Sequence, residues 1–361
     1  MVLEHLALIN FRNYAYERID FSPGCNVFYG KNAQGKTNLL ESIYITARGH
    51  SFKSVTDREL IRFGERSGYI QSDLRVGMRS KKVEFKFSRV DRKRVRINEV
   101  EVDRIKDLSA QFDVILFAPE HLELVQGGPS VRRKFMDDLL EAIEPQAAST
   151  LRDFSRLLTQ RNTLIRRKPP QWKEQLEIYD RQFSDLSLKI RRWRESLVSR
   201  LNAQAKIAHE RISNGKEKLQ IGYETNLKPD SDEILKQLRE SREEDMVSGR
   251  TKIGPHVDDL EILLNDYPAK NFASQGQSRS ITLSCKMAEL SIREKEQKHQ
   301  PLLLLDDVFS ELDERRSADL LKSIGAYQSI VTTNHADFLK KMAPQSAFFE
   351  VREGRVYRQS T

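Results

Sequence analysis

Apolar and polar positions alternate from Val2 to Ile9, and a short apolar run follows from Asn26 to Tyr29. Alternation with a period of two predicts strands. The second strand runs straight into a glycine-containing loop and then into Lys36 to Ala47, whose spacing is helical. Between about Gly68 and Ile97, β-branched and aromatic residues alternate with charges, which predicts an antiparallel sheet with one wet face. Beyond Pro119 the period lengthens. An apolar seam recurs every three or four residues at Trp172, Leu176, Tyr179, Phe183, Leu186, Ile190, Trp193, Leu197, Leu201, Ala205, Ala208 and Ile212. A preceding stripe, Leu151, Phe154, Leu158, Leu164 and Ile165, supplies its partner. The two form a helical hairpin turning near Lys168-Pro169-Pro170, because two prolines break a helix. About forty helical residues give an arm of roughly 60 Å, too short for a long coiled-coil tether.

Short strands return at Leu219 to Tyr223 and Leu260 to Leu264, and a helix starts at about Ser278. The run Leu302 to Leu305 is apolar throughout, as a parallel strand covered on both faces requires. The predicted fold class is therefore α/β. One nucleotide lobe is made from both chain ends (1–118 and 251–361), and a mainly helical lobe (119–250, hairpin about 150–213) interrupts it. No internal repeat or low-complexity tract is evident in the sequence.

Composition narrows the class. The 361 residues, 38% of them apolar, suffice for one large or two medium cores. Two cysteines, Cys25 and Cys285, offer neither a disulfide framework nor a zinc site, which fits a reducing compartment. No apolar run approaches the roughly 20 residues that span a bilayer, and MVLEHLALINFRNYAYE carries carboxylates where a secretory signal stays apolar. The expectation is a cytoplasmic, nucleoid-associated protein with no membrane partner. A net charge of +8 suits a polyanionic partner such as nucleic acid, and equally a solvated basic surface.

The segment Gly30-Lys31-Asn32-Ala33-Gln34-Gly35-Lys36-Thr37 fits the phosphate-loop pattern G-x-x-x-x-G-K-[ST]. Its glycines let the backbone wrap closely, so that successive N–H groups and the following helix terminus face phosphate. Lys36 is placed to reach the β- and γ-phosphates of ATP, and Thr37 to offer a hydroxyl to Mg²⁺. A strand-to-helix turn that merely contains Gly and Lys is the alternative. Asp306 and Asp307 follow the buried strand Leu302 to Leu305, where ligands of α/β sheets collect. Asp306 is assigned to Mg²⁺, through water, and Asp307 to orienting or deprotonating the attacking water. Capping or turn roles for both carboxylates are the alternative. The histidines His5, His50, His121, His209, His256 and His299 lack metal-ligand spacing.

A third element is Ala273-Ser274-Gln275-Gly276-Gln277, polar and just ahead of a helix. The order of phosphate loop, Ser-x-Gly-Gln, leucine-rich strand ending in two carboxylates, and Ser310-Glu311-Leu312-Asp313 resembles ABC ATPases. Within them the chain resembles the RecF family over essentially its whole length. The wording is closest at Leu6 to Tyr14, Gly30 to Tyr44, Gly49-His50-Ser51-Phe52-Lys53, Leu116 to Val125, Arg161-Asn162, Gly254-Pro255-His256-Val257-Asp258-Asp259 and Ser274 to Gln277. The resemblance implies an ABC-ATPase head, with an antiparallel β flank, that hydrolyses ATP with Mg²⁺. Heads of this type pair face to face, so Ser274, Gly276 and Gln277 are expected to complete the ATP site of a second copy. Arg12 and Asn13 resemble residues near nucleotide phosphates. The implied biology is ATP-dependent homodimerisation on single-stranded, gapped or junction DNA, recombinational gap repair, recombinase loading with other mediator proteins, replication maintenance and SOS induction.

The family pattern is broken at two places. No Gln stands at Ala118-Pro119-Glu120-His121, leaving Glu120 as a stand-in sensor, and Val331-Thr332-Thr333-Asn334-His335 leaves open whether Asn334 or His335 takes the switch-histidine place. DNA contact is expected either from Arg79, Lys81, Lys82, Arg89, Arg92, Lys93, Arg94 and Arg96 or from Arg181, Lys189, Arg191, Arg192, Arg194 and Arg200, unless these are only wet faces. No base-reading motif is evident, so recognition would rest on phosphates and shape. Two other readings stay open: a catalytically idle DNA-binding scaffold, and the energy subunit of a membrane transporter.

Overall fold

The computed structural model describes residues 1–53, 55–102, 112–296 and 300–359, so His299 lies outside the described residues. The chain forms two compact units: Met1–His121 with Gln297–Thr361, and Leu122–Glu296.

In the first unit a mainly parallel sheet has the strand order Arg355–Arg358, Ala347–Arg352, Cys25–Tyr29, Ser329–Thr333, Leu302–Asp306, Val114–Phe117. Its centre is apolar on both faces, with Leu302, Leu303, Leu304, Leu305, Ile330 and Val331 fully buried, as parallel strands require. Registers Leu305↔Val331, Asp306↔Thr332 and Thr333↔Tyr29 bring the carboxyl ends of three strands level. An antiparallel sheet is built from Tyr14–Asp20, Val2–Phe11, Ser67–Val76, Arg79–Ser88, Arg94–Ile97 and Val100–Glu101, in that order. The predicted β flank thus also recruits the first two strands. The helix Lys36–Arg48 shares one core with residues of both sheets, packing Leu39, Leu40, Ile43 and Ile45 among Leu6, Leu8, Ile70, Leu302 and Leu304. Being covered all round, it buries Glu41, Ser42 and Thr46 as well.

The second unit is arranged on the 42-residue helix Trp172–Ser213, about 63 Å at 1.5 Å per residue. Its hairpin partner is Ala147–Arg167, and the turn lies at the two prolines as predicted. The long helix also packs on the helix Gln275–Glu296 and the strand Leu219–Glu224. Its buried stripe runs Leu176, Asp180, Phe183, Ser187, Ile190, Arg194, Leu197, Leu201, Ala205, His209 and Ser213. This departs from the predicted seam at several steps, since Asp180, Ser187, Arg194, His209 and Ser213 are buried while Tyr179, Leu186, Trp193, Ala208 and Ile212 are half-buried. A helix turns every 3.6 residues, so a seam read at seven-residue spacing drifts off the buried face.

The helix Gln275–Glu296 starts earlier than predicted and belongs to the second unit, as do all residues from 251 to 296. That corrects the expected boundary at 251. The physical reason is its apolar face: Ile281, Cys285, Ala288 and Ile292 complete a core with Leu197, Leu201, Ala205, Ile221 and Leu260.

Family-like segments without a general ABC meaning converge inside this second unit. Arg161, fully buried, donates to Asp180 at 2.8 Å and to Asp245 and Thr251 at 2.7 Å. Asn162 accepts from the backbone and hydroxyl of Thr251 at 2.8 and 2.7 Å. Asp258 takes Arg194 at 2.9 Å, and Asp259 holds Arg132 through two bonds of 2.6 and 2.8 Å. These residues lock the unit together. Arg194, one of the DNA-contact candidates, is consumed there with Asp137 and Asp258 and is not a surface charge. Among the described residues, no helix is long and apolar enough to cross a membrane.

Candidate nucleotide-binding site

The phosphate loop joins the strand Cys25–Tyr29 to the helix Lys36–Arg48, so its shape is set by buried elements at both ends. Gly30 and Gly35 take φ of 150° and 118°. A Cβ on Gly30 would lie 2.4 Å from the Val351 carbonyl oxygen, and one on Gly35 would lie 2.6 Å from the Asn13 amide nitrogen. Glycine is therefore needed at both places for close approach of backbone to neighbour.

Lys36 is buried and donates to three acceptors: the Gly30 carbonyl at 2.7 Å, the Lys31 carbonyl at 2.9 Å and Asn334 Oδ1 at 2.9 Å. Burial pushes its pKa down, while the Asp307 and Asp306 carboxylates pull the other way. Thr37 Oγ1 donates to Asp306 Oδ1 at 3.0 Å. Thr332, at the end of the neighbouring strand, donates to the same oxygen at 2.6 Å and accepts the Asp307 N–H at 3.0 Å. Burial raises the Asp306 pKa, against the lowering effect of the Thr332 and Thr37 hydrogen bonds. Asp307 sits in the left-handed region at φ 52°, with Asn334 Nδ2 3.4 Å from one carboxylate oxygen and the Ser310 hydroxyl donating to the other.

Asn32, Ala33, Gly35, Lys36, Thr37, Asn38, Lys53, Asp306, Asp307, Thr332 and Asn334 line one open cleft of about 240 Å³. Segments far apart in sequence thus meet at the level strand ends. Thr37 Oγ1 and Asp306 Oδ1 form an oxygen-only pair on this cleft, the donor type that Mg²⁺ takes. Lys53 and Thr332 carry no motif of their own. Thr332 could have been found only as a polar residue ending an apolar strand, and Lys53 only from the wording around Gly49.

Asn334, rather than His335, reaches the site; it bridges Lys36 and Asp307, while His335 is exposed. Glu120 is also exposed, and its charge acts on Asp306 through space. Asn13 buttresses the loop by donating to the Gln34 carbonyl at 2.8 Å and accepting from Asn38 at 2.9 Å. Arg12 departs from expectation. It is held by Glu41 through bonds of 2.8 and 2.7 Å and by the Glu59 carbonyl at 3.1 Å, and does not line the cleft. Fully buried Glu41 needs a cation, and Arg12 supplies it.

The signature segment lies in the second unit. Ser274 accepts the Gln277 N–H at 3.3 Å, and Gln277 Oε1 accepts the Ser274 N–H at 2.8 Å. This is a reciprocal capping box. Ser274, Gln275 and Gly276 are all exposed at the helix tip, and a Cβ on Gly276 would meet nothing within 4 Å. The cap engages a serine lone pair and leaves the hydroxyl proton available to an outside acceptor.

Residues 2–356 match the RecF/RecN/SMC N terminal domain family. DNA replication and repair protein RecF of Alkaliphilus oremlandii (strain OhILAs) is 36% identical, aligned over 99% of this chain and 100% of its own. The protein of the same name from Streptococcus uberis (strain ATCC BAA-854 / 0140J) is 39% identical over 98% and 99%. A solved structure described as the recombination mediator protein RecF-ATP in the RecFOR pathway superposes with a TM-score of 0.89 at 30% identity, covering 99% of this chain and 97% of that one. With the level-ended parallel sheet, the phosphate loop and the capped serine tip already in place, the chain belongs to the RecF family of ABC-type ATPase heads.

Proposed function

We propose that the chain is an ATP-hydrolysing, DNA-binding protein of DNA replication and repair, whose two copies close on ATP. The observation that carries this reading is the meeting of Lys36, Thr37, Asp306, Asp307 and Asn334 on one cleft. Lys36 already has three oxygen acceptors around its ammonium, so β- and γ-phosphate oxygens exchange for carbonyl and amide oxygens without rebuilding the loop. The backbone N–H groups from Asn32 to Thr37 and the helix terminus behind them take the remaining phosphate charge. Thr37, and Asp306 through water, would hold Mg²⁺, which neutralises charge on the phosphates. Asp307, one residue beyond the strand, orients the attacking water and accepts its proton, with Asn334 relaying the state of Lys36 to it.

The exposed cleft leaves the γ-phosphate side open in a single copy. Ser274, whose cap leaves a hydroxyl proton to give, and the N–H groups behind Gly276 and Gln277 complete that side from a second copy. ATP then holds the pair together and hydrolysis loosens it. DNA is taken by phosphate contacts from exposed arginines, foremost Arg79, Arg89, Arg92, Arg94 and Arg96 of the antiparallel sheet and its adjoining turn; Arg181 and Arg192 are the exposed candidates on the long helix.

Sedimentation with ATP, ADP and gapped DNA in turn tests all three parts. ATP, and not ADP, should convert monomer to dimer, Lys36→Ala should abolish the conversion, and DNA should join the dimer with steep salt dependence. ATP-driven pairing that survives in Lys36→Ala would sink the assignment. Binding to a membrane partner without DNA affinity would favour a transporter subunit instead.

A further inference from the structure

Gln277 has a second commitment besides its cap. Its Nε2 donates to Glu217 Oε1 at 2.9 Å. The other carboxylate oxygen of Glu217 lies 3.2 Å from Nε2 of His209, fully buried near the end of the long helix. His209 Nδ1 is in turn 3.0 Å from Ser284 Oγ, two turns further along the signature helix. Ser274, Gln277, Glu217, His209 and Ser284 therefore form a hydrogen-bonded path that leaves this helix at its first turn and returns to it at its third.

The chemistry at Glu217 matters more than the path. An amide has a donor end and an acceptor end, and either could face the Ser274 N–H. Only the acceptor end can bond it. An ionised carboxylate accepts and never donates, so Glu217 draws the Gln277 nitrogen to itself and turns Oε1 toward Ser274. Buried His209 fixes where that carboxylate stands.

We propose that Glu217, anchored by His209, is a positioning residue for the signature: it selects the orientation of the Gln277 amide and thereby aims the Ser274 hydroxyl. This rests on the reading that Ser274 acts on the ATP of a second copy. It also makes the end of the long helix a point from which the helical unit can alter that aim.

Reversing the polarity of the pair tests the inference in the full-length protein. Gln277→Glu keeps a residue able to cap Ser274 but sets two carboxylates against each other. The double variant Glu217→Gln with Gln277→Glu restores one donor facing one acceptor. The dimer dissociation constant with ATP and kcat are measured by sedimentation and phosphate release, and nucleotide affinity by a fluorescent ATP analogue on dilute monomer. Gln277→Glu should weaken ATP-driven pairing on the order of tenfold, the size of a lost charge-assisted hydrogen bond. The double variant should return to within about twofold of wild type, because the two sites act as one. Nucleotide affinity of the monomer should not move in either.

Wild-type pairing by Gln277→Glu, or a double variant as defective as the single, would overturn the proposal. If Gln277→Glu fails to fold, Glu217→Ala replaces it, and unchanged pairing and kcat in that variant would overturn the proposal equally. Ser274→Arg separates the two levels. Should it leave pairing intact, the trans reading itself fails; should it block pairing while the Glu217 variants do not, only the positioning role is lost.

Discussion

Asp306→Asn should make the nucleotide-free protein more stable while disabling it. The Asp306 residue is 5% exposed, its hydrogen-bond partners at 3.0 and 2.6 Å are two hydroxyls, Thr37 and Thr332, and Lys36 and Lys53 act on it only through space. Removing a buried ion from water costs several kcal/mol. Two charge-assisted hydrogen bonds return about 1.5–3 kcal/mol each. Asparagine keeps the shape and the acceptor oxygen, gives up the charge, and retains neutral bonds of about 0.5–1.5 kcal/mol each. The balance favours the amide by roughly 1–2 kcal/mol near pH 8, and at about 2–4 °C per kcal/mol for a unit of this size Tm rises roughly 2–8 °C.

Burial raises the Asp306 pKa in the folded protein. The native state therefore binds its proton more readily than the unfolded chain, and wild-type stability from this group grows as pH falls through the raised folded pKa and is lost as pH rises through it. The gap between variant and wild type should accordingly shrink as pH falls from 8 through the raised folded pKa toward the unfolded carboxylate value of about 4. Mg²⁺ and ATP should reverse the order, because ligand at about 100 times its Kd adds about 2.7 kcal/mol to the form that binds it. Thermal melts across that pH range, with and without Mg²⁺ and ATP, read all of this. If the Asp306→Asn variant melts below wild type at pH 8 without nucleotide, or if the gap is indifferent to pH, the carboxylate is not a buried burden.

Asp307→Asn should keep ATP affinity and lower kcat by about 10²–10⁴-fold, the range of a lost general base, so that the ATP-bound dimer persists in sedimentation; rapid turnover would remove Asp307 from that role. Gly30→Ala should destabilise by more than about 1 kcal/mol and lose nucleotide binding, because the new Cβ meets the Val351 carbonyl at 2.4 Å in a backbone conformation L-residues avoid. Normal ATP affinity in that variant would place the phosphates elsewhere. Arg161→Ala should cost about 3–5 kcal/mol, since it leaves Asp245 buried without its cation and Asp180 with Arg242 alone. Denaturant unfolding that matches wild type would show the cluster to be dispensable.

The sequence by itself determined the local chemistry. A glycine loop between an apolar strand and a helix, two carboxylates ending a leucine run, and a proline break between amphipathic stretches each follow from backbone sterics and periodicity, and the phosphate loop, Leu302–Asp306 and the hairpin turn lie where those rules put them. Long-range pairing decided the rest. That Thr332 rather than another threonine braces Asp306 depends on a register between strands 26 residues apart in sequence. Fully buried Glu41 claims Arg12, and Asp258 claims Arg194, because a buried carboxylate takes whichever cation the fold brings to it. The signature helix carries apolar residues on opposite sides, Leu283 and Leu290 being buried as well, so periodicity does not say which side meets the helical unit; only the tertiary packing of Ile281, Cys285, Ala288 and Ile292 against Leu197, Leu201 and Ala205 names the partner. Charge and periodicity are written residue by residue, whereas burial, which decides what a charge may do, exists only after the chain has closed.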